Sequence, residues 1–108
     1  MINYEDFKKV EMKVGEIKEV ELVDGSEKLL KLKVLFADEE RQILSGIRKF
    51  FDDYNVLVGK KVPFVINLEP RKMMGLESQG MILAVNDDEG NFSLLEVDNK
   101  IKSGSSVS

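Results

Sequence analysis

The sequence predicts an all-β domain spanning residues 1–108: a small barrel of five principal strands with short helical segments. Three observations point to it. Apolar residues alternate with polar ones in successive runs, the period of a half-buried strand, as in Leu30, Leu32 and Val34 against Lys31 and Lys33. Short turn clusters such as Asp24-Gly25 and Asp87-Asp88-Glu89-Gly90-Asn91 separate the runs. The spacing turns helical at Phe50, Phe51 and Tyr54, between the third and fourth runs.

In chain order, Asn3 is a candidate cap for a short helix, with Asp6 three positions on and Phe7 and Val10 as its buried side. That helix would plug one barrel end. Val10, Met12 and Val14 then alternate with Glu11 and Lys13, and the phase shifts after Gly15, marking a bulge or bend that lets one strand serve both sides of a barrel. The second strand carries Lys31 and Lys33 on one outer face. Asp38-Glu39-Glu40 reads as the hairpin turn into a third strand, Arg41 to Ile47, where Ser45-Gly46 removes side-chain bulk. Arg48 to Tyr54 forms the helical segment. Val62 to Leu68 alternates as a fourth strand in which Pro63 argues for an edge or bulged position. Met81 to Val85 is a fifth, Phe92 to Val97 returns after a turn, and 103–108 reads as a disordered tail with Ile101 and Val107 as candidate anchors.

At 108 residues the chain is long enough to close one core without staples. Cysteine and histidine are absent, which excludes a disulfide framework, thiolate or imidazole metal ligation, and a histidine-activated nucleophile. No apolar run reaches the length of a bilayer span, and the acidic N-terminus fits no secretory signal, so a cytoplasmic location is expected. The acidic clusters match no calcium loop. The chemistry points away from an enzyme, with no cofactor and no metal.

Asn67 to Met81 is the densest functional stretch. Arg71 and Lys72 stand beside Met73 and Met74, and Ser78 and Gln79 follow. Pro70 and Gly75 mark it as a shaped loop between strands. The net charge is −4, but unevenly placed: residues 1–27 carry −4, residues 28–72 carry +4 and residues 73–108 carry −4. A focused basic surface on an acidic protein can still steer a polyanion.

Five strands with a helical segment between the third and fourth is the order of the OB-fold, a partly open Greek-key barrel that binds oligonucleotides on strands two and three and on the loops joining strands one to two and four to five. The basic middle of the chain falls largely on these elements.

The runs Ser26-Glu27-Lys28-Leu29-Leu30-Lys31-Leu32-Lys33-Val34, Ile43-Leu44-Ser45-Gly46-Ile47, Asn67-Leu68-Glu69-Pro70-Arg71-Lys72-Met73-Met74-Gly75 and Glu77-Ser78-Gln79-Gly80-Met81 resemble one family. It is the tRNA-binding domain at the C-terminal end of many methionyl-tRNA synthetases, found also as beta subunits, free-standing proteins and endothelial-monocyte-activating polypeptides. The resemblance covers about Asp6 to Val107. It implies an OB-fold that reads tRNA by shape, a homodimer, a methionyl-tRNA synthetase catalytic subunit as partner, and a separate subunit or excised domain without the catalytic half. Matched position by position, it implies RNA contacts at Lys31, Lys33, Ser45, Asn67, Arg71, Lys72, Ser78, Gln79 and Met81. The acidic net charge and the lack of a basic extension imply modest affinity. A dimeric export-related chaperone is similar in fold, and exposed Met73, Met74 and Val65 would then hold peptides.

Overall fold

The computed structural model describes residues 1–108. A curled antiparallel sheet is built from β1 (Met12–Leu22), β2 (Leu30–Phe36), β3 (Glu39–Ser45), β4 (Lys61–Val65) and, after two small strands β5 (Arg71–Met73) and β6 (Leu76–Ser78), β7 (Met81–Ile82). Its order is β3-β2-β1-β4-β7. β8 (Ala84–Asn86) and β9 (Phe92–Leu94) form a separate hairpin, and β10 (Ser106–Val107) pairs with the start of β1. The architecture is the predicted all-β, OB-like barrel, but the expected fifth strand, Met81 to Val85, divides at Leu83 between β7 and β8, which lie in different sheets.

The long first strand explains the curl. Its first half, Met12 to Glu16, pairs with β4, and its second half, Glu16 to Leu22, pairs with β2. The expected bend falls at two places. Gly15 lies where β1 crosses Val34 and Phe36, and a β-carbon there would stand 2.4 Å from Val34 Cγ1 and 2.8 Å from the Phe36 ring. The register shift itself comes between Ile17 and Glu19, after the glycine. Inside the curl, Ile17, Leu30, Leu32, Val34, Ile43, Leu57, Val62 and Phe64 are wholly buried. Each large apolar side chain so buried contributes about 1.5–3 kcal/mol relative to exposure. Phe36 meets Phe64 edge to face at 5.4 Å.

Several local expectations are corrected. The β2–β3 turn is Ala37-Asp38, with Ala37 at φ 57°, while Glu39 and Glu40 already pair with Phe36 and Leu35. The third strand therefore starts earlier and ends at Ser45. The segment after it is two short helical turns, Arg48–Phe50 and Tyr54–Leu57, because the carboxylate of Asp53 accepts from Asn55 N and starts a second turn. Phe50 stacks on Phe92 at 4.2 Å and Phe51 meets it edge-on, so these aromatics do close a barrel end. The fourth strand stops at Val65. Pro63 is buried within it between β1 and β7, rather than on an edge. The ladder tolerates it because pairing to β7 begins at Phe64, and Pro63 supplies only a carbonyl, which accepts from Leu83 N at 3.2 Å.

The helix α1 (Tyr4–Lys8) is capped as expected, Asn3 Oδ1 accepting from Asp6 N at 2.9 Å. It plugs nothing: none of its residues is buried, and Phe7 and Val10 are exposed. The tail is a strand anchored by Val107 opposite Met12, with Gly104 N donating to Val14 O and Val14 N to Ser105 O. No helix is long and apolar enough to cross a membrane.

Candidate nucleic-acid interface

The stretch expected as a loop between strands four and five is a hairpin. Arg71 pairs with Ser78, Lys72 with Glu77 and Met73 with Leu76. Two residues, Met74 at φ 53° and Gly75 at φ 77°, make the turn. Positive φ at both central positions is the type I′ geometry, whose twist matches that of paired strands. Arg71 and Lys72 are exposed on β5, and neither belongs to any of the ion pairs of the chain.

Polar side chains seat this hairpin on β3. Ser78 is buried, and its Oγ accepts from Leu44 N at 3.0 Å and donates to Gly80 O at 3.0 Å. Gln79 N donates to Gln42 O at 2.8 Å, and Gln42 N donates to Gln79 Oε1 at 3.0 Å. Gln42 Nε2 reaches Glu77 O at 2.9 Å. Arg41 donates to Ile66 O at 2.6 Å and to Gln79 O at 3.3 Å, gripping both feet of the excursion, while Glu39 holds its guanidinium from the other side. These bonds bridge the open edge between β3 and β7. Arg41 escaped the sequence reading because its partners are carbonyls 25 and 38 residues away.

The other expected residues divide accordingly. Asn67 uses both ends of its amide inside the chain, accepting from Glu11 N at 2.8 Å and donating to Lys9 O at 2.6 Å. Ser45 is half-buried at the end of β3, opposite Leu30. Met81 is exposed and, with Leu44, Leu68, Met73, Arg71 and Ser78, lines a shallow cleft of about 70 Å³ at the hairpin base. Val65 is buried at 5% exposure between β1 and β7, so it is no part of an exposed methionine surface. Lys31 and Lys33 project outward as expected, but each is paired across the ladder, Lys31 with Glu21 at 3.0 Å and Lys33 with Glu19 at 3.3 Å. The Glu19 carboxylate, through its hydrogen bond and its charge, raises the Lys33 ammonium above its ordinary pKa.

A second basic element stands beside the hairpin. The Met74 methyl lies against Gly25, 3.1 Å from where a β-carbon would stand. Three residues on is Lys28, whose carbonyl accepts from Arg48 N, while the Arg48 guanidinium donates to Ser26 O at 2.7 Å. Lys49 is exposed over the Phe50 ring. The sequence signal for this group was the adjacent pair Arg48-Lys49.

Fold and site together define a small OB-like barrel with two unpaired cations, Arg71 and Lys72, on one seated hairpin. The family model described as "Putative tRNA binding domain" matches residues 12–106. The methionine–tRNA ligase of Caldanaerobacter subterraneus subsp. tengcongensis is 51% identical over 99% of this chain, which spans 16% of the ligase. The crystal structure of a MetRS-related protein from Pyrococcus horikoshii superposes with a TM-score of 0.92 at 38% identity, covering 99% of this chain and 97% of that one. The CsaA chaperone protein from Picrophilus torridus superposes with a TM-score of 0.88 at 29% identity over the whole of both chains. The chain belongs to the tRNA-binding-domain family.

Proposed function

We propose that residues 1–108 act as one non-catalytic tRNA-binding unit that raises the tRNA affinity of a methionyl-tRNA synthetase. The observation that carries this reading is the exposed, unpaired Arg71–Lys72 pair on a hairpin bonded to β3, in a chain of this family. Arg71 and Lys72 take phosphates, with Lys28 and Lys49 extending the basic zone. Met81 and Ser45 border the place where a ribose or an unpaired base would rest. Asn67, Ser78 and Gln79 serve by holding the hairpin, and Lys31 and Lys33, already paired, contribute less. Tethering such a unit to a catalytic subunit raises avidity by roughly 10² or more through effective concentration alone. That role places the protein in the cytoplasm.

We further propose that it works as a homodimer. Support comes from α1 and its flanks, where Ile2, Tyr4, Phe7 and Val10 are all exposed. Sedimentation analysis reporting a monomer throughout the micromolar range would remove the dimer.

A polypeptide-binding role is the second reading, favoured by the full-length likeness to the chaperone. Fluorescence anisotropy of a labelled tRNA at two salt concentrations, with an equal-length duplex and an unfolded polypeptide as competitors, separates the two. Saturable, salt-weakened binding that the duplex displaces poorly is expected. No binding of tRNA, with binding of the unfolded polypeptide when it carries the label instead, would select the chaperone-like role.

A further inference from the structure

We propose that Glu19 and Glu21 are specificity-determining residues that occupy Lys33 and Lys31, so that the outer face of β1–β3 refuses generic nucleic-acid backbones and leaves the hairpin end to bind tRNA. This rests on the tRNA-binding reading and adds residues that touch no ligand.

The geometry is a zipper of opposite charges. Glu19 sits directly across from Lys33, and Glu21 across from Lys31, in the β1–β2 register. The ammonium-to-carboxylate distances are 3.3 and 3.0 Å. The pairs border an open, shallow cleft of about 340 Å³ that also exposes Glu40 and Arg41, so three acids and three bases line it. The cleft is large enough for a sugar-phosphate segment, and it lies on the face where a barrel of this kind is otherwise open to a strand of nucleic acid.

A phosphate approaching Lys33 or Lys31 must first displace a carboxylate, and that carboxylate then stands beside it unpaired. Like charges brought together penalise the wrong partner, which is how charge placement gives specificity. Glu40 adds its field at Lys33. At the hairpin Glu77 stands across from Lys72 and Glu69 lines the cleft with Arg71, but neither carboxylate comes within ion-pair distance, so Arg71 and Lys72 are unpaired. One face is therefore neutral and closed, and the adjoining end is basic and open. The pairs are exposed, and exposed pairs contribute little to stability, so removing them leaves the barrel intact.

The test is the double variant Glu19→Gln, Glu21→Gln, titrated by anisotropy with a generic DNA duplex and, in parallel, with tRNA at several salt concentrations. The duplex should bind roughly tenfold tighter than to wild type, with a salt slope steeper by about 2, one phosphate for each freed lysine. The tRNA should gain less, so that discrimination falls. Adding Lys31→Gln and Lys33→Gln should cancel the duplex gain. Neutralising two acids far from the ladder, Asp88→Asn and Glu89→Gln, changes the net charge equally and should not reproduce the gain. Unchanged duplex affinity and slope in the Glu19, Glu21 variant would overturn the proposal, and so would an equal gain from the distant pair, since overall charge would then suffice. Failure of wild type to bind tRNA would sink the functional reading, while the duplex arm would still score the glutamates independently.

Discussion

The Ser78 hydroxyl accepts a hydrogen bond from the Leu44 amide at 3.0 Å, and this contact fixes the basic hairpin to the barrel wall. The hydroxyl stands in for a strand: it takes the ladder bond that β3 would otherwise leave open, and passes its own proton to Gly80 O. Ser78→Ala leaves the Leu44 N–H without a partner in a buried place, at a cost of about 1–3 kcal/mol. For a domain of this size that lowers Tm by roughly 4–8 °C per kcal/mol, which calorimetry resolves. Hydrogen exchange should quicken across residues 71–81 before it does in β2. Equal protection in wild type and variant would show that the hairpin is held elsewhere.

Gly15 makes a second, sharper prediction. A methyl there would overlap Val34 Cγ1 and two atoms of the Phe36 ring, all of them core side chains with no free space to enter. Overpacking of this kind costs about 1–3 kcal/mol. Gly15→Ala is expected to lower the urea midpoint with little change in the slope of the transition, because the fold adjusts without being replaced. A midpoint equal to that of wild type would mean that β1 can move outward there at no cost.

How far the sequence could be read depended on the range of the forces involved. Leu30, Leu32 and Val34 declared their inward face because strand geometry alone alternates them, and Asn3 declared its cap because its partner is three residues away. The hairpin of β5 and β6 was hidden by its own turn. Pro70 and Gly75 look like strand breakers, and nothing local says that Met74 adopts a left-handed conformation that lets Met73 meet Leu76. Ser78 and Gln79 were legible as polar groups worth naming, but not as bonds to Leu44 and Gln42, 34 and 37 residues away. The pairing of Lys31 and Lys33 with Glu21 and Glu19 rests on the register set by the shift after Ile17. Two cations on one face therefore suggested a basic surface where the fold makes a neutral one.

Asp87 offers a pH test. Its carboxylate accepts from the Asn91 side chain at 2.8 Å and from the backbone of Asn91 and Glu89, each at 2.9 Å. These donors favour the charged form and hold the pKa below its ordinary 3.8, Asn91 contributing most. A pKa depressed on folding contributes stability that is fully present above the unfolded value and is lost as pH falls through the folded one. The turn between β8 and β9 should thus stay closed at neutral pH and loosen only below about pH 4. Carboxyl-detected NMR should give Asp87 a midpoint below the ordinary value, with Asn91 amide shifts following it. An Asp87 midpoint at or above the ordinary value would contradict the turn geometry.

Arg71 and Lys72 carry the functional prediction. They pair with Ser78 and Glu77 only through backbone register, and their charged heads are free, so their removal should leave the hairpin and the core unchanged. Each phosphate contact contributes about 0.9 to the salt slope, or about 0.7 where the RNA is single-stranded. The variant Arg71→Ala, Lys72→Ala is expected to bind tRNA roughly tenfold more weakly at moderate salt, with the slope reduced by about 2. The two changes must occur together, because a loss of affinity without a loss of slope would come from altered shape instead of lost phosphate contacts. Lys28 and Lys49, which belong to no ion pair and do not line the cleft between Leu68 and Met81, should have a weaker effect. Unchanged tRNA affinity in the double variant, with an unchanged melting curve, would place the binding surface elsewhere on the barrel.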